Sequence, residues 1–534
     1  MILVSIRRLS KLMLLDLSNN SLEGLVLEAH FATLSMLKRL DITSNHKLIF
    51  NISQEWIPPF QLRSFQLGSC KIANGFPQWL QTKRKLEKLM MSNASLQGRL
   101  PTWLRKMPLI YYLDLSYNKL SGTLTNLPIN RYSRYLVLRE NFFNGSFPKS
   151  LCRGTLLQIF DISRNVISRN IPDYVENLHE MDMFILSSNR MPGVLPSSLG
   201  NMSSSLKWLK INDNKFGGKL PQNLENFSTL RVFDFGSNKF YGNIPKWIGK
   251  NPNYLIVLRL HINFTGRILQ SLCKCSYLQI LDVAHNNLRG PTPHCIGELH
   301  GMTENTHEVG TSVGIYDFDS TVFQVLKGFQ LEYTTLDLVF NMDLSSNKLQ
   351  GQIPPEIVTL TLLVGLNLSH NHLSESIPES IGNTKALCSL DFSDNQLTGM
   401  IPPSMAALNF LSSMNVSHNN FSGRITTRNQ LQTLNDPSIY AGNRDLCGAP
   451  LPNNCSNHET PPTTTSNNKH KDAHGPNNLW FYLDIIGGVA TGFGGIIGVL
   501  LFKKQWRHML FMIAEVFVAV AVRVSKIKRG RESI

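Results

Sequence analysis

Asp234 opens the tripeptide Asp-Phe-Gly, which holds metal in protein kinases when a glycine-rich loop, a lysine-bearing strand and an HRD triplet accompany it. None accompanies it here, and it sits inside "FDFGSN", a stretch patterned as a strand. His370 and His372 fall at variable positions of a repeat and are read as solvated. No HExxH occurs. The eight cysteines are scattered without a CxxC pair, a poor pattern for zinc and a better one for cystines. The sequence therefore predicts a protein that is not an enzyme and carries no cofactor and no metal. A net charge of +15 suggests nucleic acid only until its distribution is read. Basic residues concentrate after Lys503, and no arginine stripe or nucleic-acid motif appears elsewhere.

What chemistry remains is recognition, and its positioning depends on a repeat. "LDLSYNKLSGTL", "FDISRNVISRNIP", "LKINDNKFGGKLP" and "MDLSSNKLQGQIP" share the template LxLxxNxLxGxIP at intervals of roughly 24 residues. Its Asn or a substitute is read at Asn19, Asn45, Cys70, Asn93, Asn118, Asn141, Asn165, Asn189, Asn214, Asn238, Asn263, Asn286, Asn347, Asn371, Asn395 and Asn419. Each LxL is a short strand with leucines inward, and one coil cannot bury them without stacking on its neighbours. The Asn amide satisfies turn backbone inside the dry core. The predicted class is an α/β repeat solenoid, a right-handed leucine-rich-repeat superhelix with short parallel strands on its concave face. Outward strand residues line that face: Tyr112, Tyr135, Arg139, Trp208, Lys210, Arg259 and His261 are the large or charged ones, read as exposed anchors for a protein or peptide.

The period breaks between Asn286 and Asn347. Residues 302–339 lack the leucine frame and carry Tyr316, Phe318, Lys327 and Tyr333, so an ordered insertion with a binding role is expected. The organisation reads as repeats over 1–301, an island over 302–339, four repeats over 340–436, a cysteine cap over 437–456 and a polar linker over 457–479. A transmembrane helix over 480–502 and a basic tail over 503–534 complete it. Trp480 to Phe502 would measure roughly 34 Å as helix, and Lys503, Lys504 and Arg507 orient the tail inward. Gly488, Gly492, Gly494 and Gly498 put small residues at helical spacing, a face for a partner helix.

An oxidising, extracellular setting fits the rest. Cys447 and Cys455 are expected to close the solenoid end, and Cys295 to staple to Cys273 or Cys275 one coil away. Cys70, Cys152 and Cys388 are expected free and inward-facing. Sequons mark Asn51, Asn144, Asn201, Asn226, Asn367, Asn415 and Asn454 for glycans; those at Asn93 and Asn263 are expected too buried.

Repeats, a late island, four more repeats, "NDPSIYAGNRDLCGAPLPNNC", the glycine-rich span and "KKQWRHMLF" resemble the plant leucine-rich-repeat receptor-like proteins, near the ethylene-inducing-xylanase and disease-resistance receptors. The family's signal peptide and N-terminal cap are not found, so a truncated gene model is expected. The resemblance implies a plasma-membrane, single-pass receptor in plant immunity, with repeats outside. It implies an extracellular, microbial protein or peptide ligand. It also implies an adaptor receptor-like kinase held through the transmembrane helix, and a somatic-embryogenesis-type co-receptor kinase recruited at the island. "KGFQLEY", from Lys327 to Tyr333, matches a Lys-x5-Tyr island pattern of related receptors, although Tyr333 could equally pack the island onto the solenoid. Alternatives are a developmental peptide co-receptor of the CLAVATA kind and a secreted-enzyme inhibitor like the polygalacturonase-inhibiting proteins.

Overall fold

The computed structural model describes residues 2–250, 254–303 and 339–455, with the backbone alone of Val322–Leu326 and Phe329–Tyr333. Tyr316, Phe318, Lys327, the span 480–502 with its four glycines, and the tail lie outside them. Among the described residues no helix is long and apolar enough to cross a membrane.

Each coil supplies a three-residue strand, and the strands of successive coils hydrogen-bond into one 16-stranded parallel sheet. The central side chain of each strand turns inward. Leu136, Phe160, Phe184, Leu209, Phe233 and Leu258 stand in register on neighbouring strands, all buried. A second strand in each coil forms smaller parallel sheets, one of them 10-stranded. Short turns such as Lys149–Arg153 and Ser197–Asn201 close the coils.

These turns correct the expected α/β class, because every helical element among the described residues is 3-10. A proline opens many of them, Pro148 and Pro196 for instance. Proline leaves no N–H unpaired, and its carbonyl accepts the closing bond, as Pro148 does from the Leu151 N–H at 2.9 Å. Neighbouring turns also press close. A Cβ on Gly200 would sit 2.2 Å from the Asn223 carbonyl oxygen one coil on, so only glycine fits.

The asparagine ladder is the polar spine. Asn141 accepts from the Leu120 N–H of the preceding coil (2.9 Å) and donates to the Leu115 and Leu138 carbonyls (2.9 and 3.1 Å). Each such bond contributes about 1 kcal/mol net, whereas a buried orphan costs roughly 1–3 kcal/mol. Three assignments are corrected. Asn19 and Asn93 hold the left-handed turn position that precedes the ladder (φ 54° and 49°), so the ladder positions are Asn20 and Ala94. In the coil of Asn263 one residue is missing, Ile262 takes the ladder position, and Asn263 starts an exposed strand. Cys70 substitutes as foreseen, its Sγ donating to the Ile42 carbonyl at 2.9 Å. The ladder also continues past Asn419: Asn443, inside the cap, accepts from the Phe421 N–H at 3.0 Å.

The insertion does not interrupt the spine. Strand Ile280–Asp282 pairs directly with Asn341–Asp343, and the Leu288 N–H donates to Asn347 Oδ1 at 3.0 Å. The Leu362 N–H donates to the Met302 carbonyl at 2.9 Å, joining the coils on either side. Within the insertion, Val322–Leu326 and Phe329–Tyr333 pair antiparallel, with Val322 opposite Tyr333.

Cys273 bonds to Cys295, and Cys447 to Cys455. Cys275 is a buried thiol that burial pushes up to about 12. Cys70 is buried and Cys388 half-buried. Cys152, expected inward, is exposed on the turn Lys149–Arg153, where its thiol donates to the Lys149 carbonyl. Lys83 went unnoticed in the sequence. It is buried, donating to the Pro58 and Phe60 carbonyls at 3.1 and 2.8 Å beside the Phe60 and Trp79 rings. Burial lowers its pKa to about 8.

Candidate functional site

The strands bring the sequence-selected residues onto one face of the main sheet, in columns. The first column runs in register through Lys88, Tyr112, Tyr135, Ile159, Met183, Trp208, Val232, Val257 and Ile280. The second holds Asp161, Ile185, Lys210, Asp234, Arg259 and Asp282. Arg139 and His261 occupy the next outward position of their coils.

The expected exposure is corrected for four of the seven. Trp208 is 1% exposed, Lys210 6%, Arg259 5% and Arg139 7%. The reason is steric. Strands lie roughly 4.8 Å apart, so bulky side chains in adjacent rows cover each other. Val137, Ile159, Met183, Ile185, Trp208, Val232, Val257 and Ile280 form a second apolar cluster outside the main core, against which Tyr135 packs. Lys210 Nζ lies 5.9 Å from the Trp208 ring centre, and the buried indole N–H finds no acceptor among the described residues. Tyr112 and Tyr135 stay partly open with ring centres 4.9 Å apart, as does His261, whose ring stacks on His285 at 4.4 Å.

Charge on this face is arranged to neutralise itself. Arg259 donates from Nη1 to Asp234 at 3.0 Å and from Nε to Asp282 at 3.1 Å. Burial alone would lower the guanidinium pKa, but the two carboxylates overcome it and hold the group above its ordinary range. Burial depresses Lys210 to about 8 against the opposing pull of Asp234 and Asp161. Asp161 is raised by burial, although Ser163 hydrogen bonds and the Arg139 and Lys210 charges oppose this. His261 is lowered by burial first, with Asp282 pulling the other way. The Asp of the kinase-like tripeptide is thus a strand residue paired to arginine.

Beyond the insertion the same face changes character. The first column becomes Asn341, Gly365, Ser389 and Ser413, and the second Asp343, Asn367, Asp391 and Asn415. These residues line a cleft of about 60 Å³. Asp343 is raised to about 7, by removal from water and then by the adjacent Asp282 carboxylate.

Of the sequon residues, Asn144, Asn201, Asn226 and Asn454 are exposed, and Asn51, Asn367 and Asn415 half-buried. Asn93 and Asn263, expected buried, are exposed, a consequence of the register corrections above. Asn420, in Asn420-Phe421-Ser422, is a further exposed sequon that the reading missed although the motif was in view.

Comparison with known proteins places this geometry. The Leucine Rich Repeat family model matches residues 205–227, 277–299, 362–384 and 386–408. Over 92% of its length the chain is 36% identical to Receptor-like protein EIX2 of Solanum lycopersicum, of which it covers 51%. It is 30% identical to Receptor-like protein 53 of Arabidopsis thaliana over 61% of its length, covering 34% of that protein. The chain thus spans about half or less of the curated relatives it matches. Among solved structures, the plant peptide hormone receptor RGFR1 in complex with RGF2 aligns at TM-score 0.63 and 24% identity, covering 79% of this chain and 66% of that one. A leucine-rich-repeat protein of Leptospira interrogans aligns at TM-score 0.55 and 21% identity, covering 79% of this chain and 94% of that one. At these identities the structural likeness is one of fold.

Proposed function

We propose that this chain, built of leucine-rich repeats and similar over most of its length to plant receptor-like proteins, is a cell-surface receptor that signals through partner kinases. The observation that carries the reading is the 36% identity over 92% of the chain to a protein named as receptor-like. In this reading the repeats are extracellular and residues 480–502 cross the membrane once. Gly488, Gly492, Gly494 and Gly498 receive the helix of an adaptor receptor-like kinase. The island, through Tyr316, Phe318, Lys327 and Tyr333, helps recruit a co-receptor kinase of the somatic-embryogenesis type.

The sheet face supports a refined ligand assignment. Tyr112, Tyr135 and His261 present surface to a microbial protein or peptide. Arg139, Trp208, Lys210 and Arg259 form the packed bed that fixes them, with Trp208 and Arg259 supplying rigidity more than contact. Glycans at Asn144, Asn201, Asn226 and Asn454 would decorate exposed edges. Tagged full-length protein from plant membranes should co-purify with a receptor kinase, and replacing Gly488 and Gly492 by leucine should reduce the yield several-fold. Recovery of no kinase in repeated preparations would sink the signalling half of the proposal. Protease treatment of intact cells that spared the repeats would sink the topology.

A further inference from the structure

A cavity of about 300 Å³ lies on a different surface: the second-strand flank of three successive coils. Lys219 comes from the first coil, Tyr241, Asn243 and Lys246 from the second, and Arg267 from the third. No acidic side chain lines it. Some surface cations answer an acid about one coil away: Lys47 pairs with Glu23, Arg63 with Glu87, Lys207 with Asp182 and Lys250 with Glu225, at 3.1–3.9 Å. Lys219, Lys246 and Arg267 have no such acid among the described residues, and all three are exposed. Three cations facing one cavity without counterions repel each other and favour an incoming anion.

Two further features narrow the anion. Asn243 Oδ1 accepts from the Thr265 hydroxyl at 2.9 Å, which fixes the amide and leaves its NH2 group as a donor. Tyr241 is 52% exposed, a flat apolar platform beside the charges. Lys219 and Arg267 hold the same position, after the turn glycine, two coils apart, hence roughly 10 Å along the flank. The intervening coil step approximates the length of one sugar ring in an extended chain. We propose that this flank binds an anionic oligosaccharide, charged through carboxylate or sulfate, with its ring face on Tyr241 and its acid groups on Lys219, Lys246 and Arg267. The inference stands apart from the receptor reading, since it uses neither the main sheet face nor the membrane segment.

The test is titration calorimetry on the full chain in detergent with a galacturonic acid trimer, a heparin-derived sulfated disaccharide and uncharged maltotriose. At least one charged sugar should bind and maltotriose should not; the stronger charged sugar identifies carboxylate or sulfate as the recognised group. The double substitution Lys219→Gln/Arg267→Gln should weaken binding at least tenfold, and Tyr241→Ala should weaken the sugar while leaving inorganic sulfate competition unchanged. Should the double variant fail to fold, Lys246→Glu alone should give the same loss with an unchanged unfolding midpoint. Equal binding of maltotriose, an affinity indifferent to these substitutions in folded protein, or competition by inorganic sulfate as strong as by the sugars would overturn the proposal.

Discussion

The main sheet face before the insertion and the same face after it are built on one backbone yet differ in kind. From Tyr135 to Ile280 the outward column is bulky and apolar, and the charged column beside it pairs internally around Arg259. From Asn341 to Ser413 the column shrinks to Asn, Gly and Ser, and a cleft opens. Side-chain volume in the outward columns therefore decides whether the face is a sealed second core or accessible surface. The spine beneath is unchanged, since Asn189 and Asn371 each donate to three backbone carbonyls.

The sharpest way to break the contrast is Arg259→Met, which strands Asp234 and Asp282 in the sealed half. Removing one partner of a buried pair costs roughly 3–5 kcal/mol. Hydrogen exchange should show the loss centred on strands 232–234 and 280–282 and spreading to adjacent coils, because each coil is held by its neighbours. Next, Asn189→Ala and Asn371→Ala should each cost about 2–3 kcal/mol by denaturant unfolding, and cost the same, if the halves differ only at their surface.

Asp343 stands at the boundary and gives a pH test. Its folded pKa is raised to about 7 from the ordinary 3.8, so the folded state binds the proton more readily than the unfolded. Stability from this group is present below pH 3.8 and is lost as pH rises through 7. Asp343→Asn should therefore stabilise the protein at pH 8 by on the order of 1–2 kcal/mol and leave it unchanged near pH 3. Asn is a fair replacement, because Asn367 and Asn415 already take the Ser N–H two residues on, as Asp343 does. A destabilised variant at pH 8 would show that the Asp343 carboxylate is needed there, against this account. Smallest of all, Ser413→Ala in the open half should shift the unfolding free energy by less than about 0.5 kcal/mol.

Periodicity made the inward leucines, the stacking and most of the ladder legible in the sequence. Where two asparagines adjoin at Asn19 and Asn20, or a residue drops out before Asn263, the template cannot say which residue turns inward; the backbone decides by taking the left-handed turn. The cystines were legible because the repeat converts sequence spacing into distance, while the choice between Cys273 and Cys275 needed side-chain direction. Burial of Trp208 and Arg259 was not legible, since it depends on the volumes of residues one coil before and after. Lys83 escaped for a related reason: its partners are the carbonyls of Pro58 and Phe60 in the preceding coil, which no motif encodes.

Strand Ile280–Asp282 bonds straight to Asn341–Asp343, so the continuity of the main sheet does not run through residues 304–338. A change of length or composition confined to residues 304–338 would leave that strand pairing, the Asn286–Asn347 step of the ladder and the Cys273–Cys295 bond in place. Under the proposed binding role such a segment is a cassette port: lineages could swap its specificity while inheriting the solenoid intact.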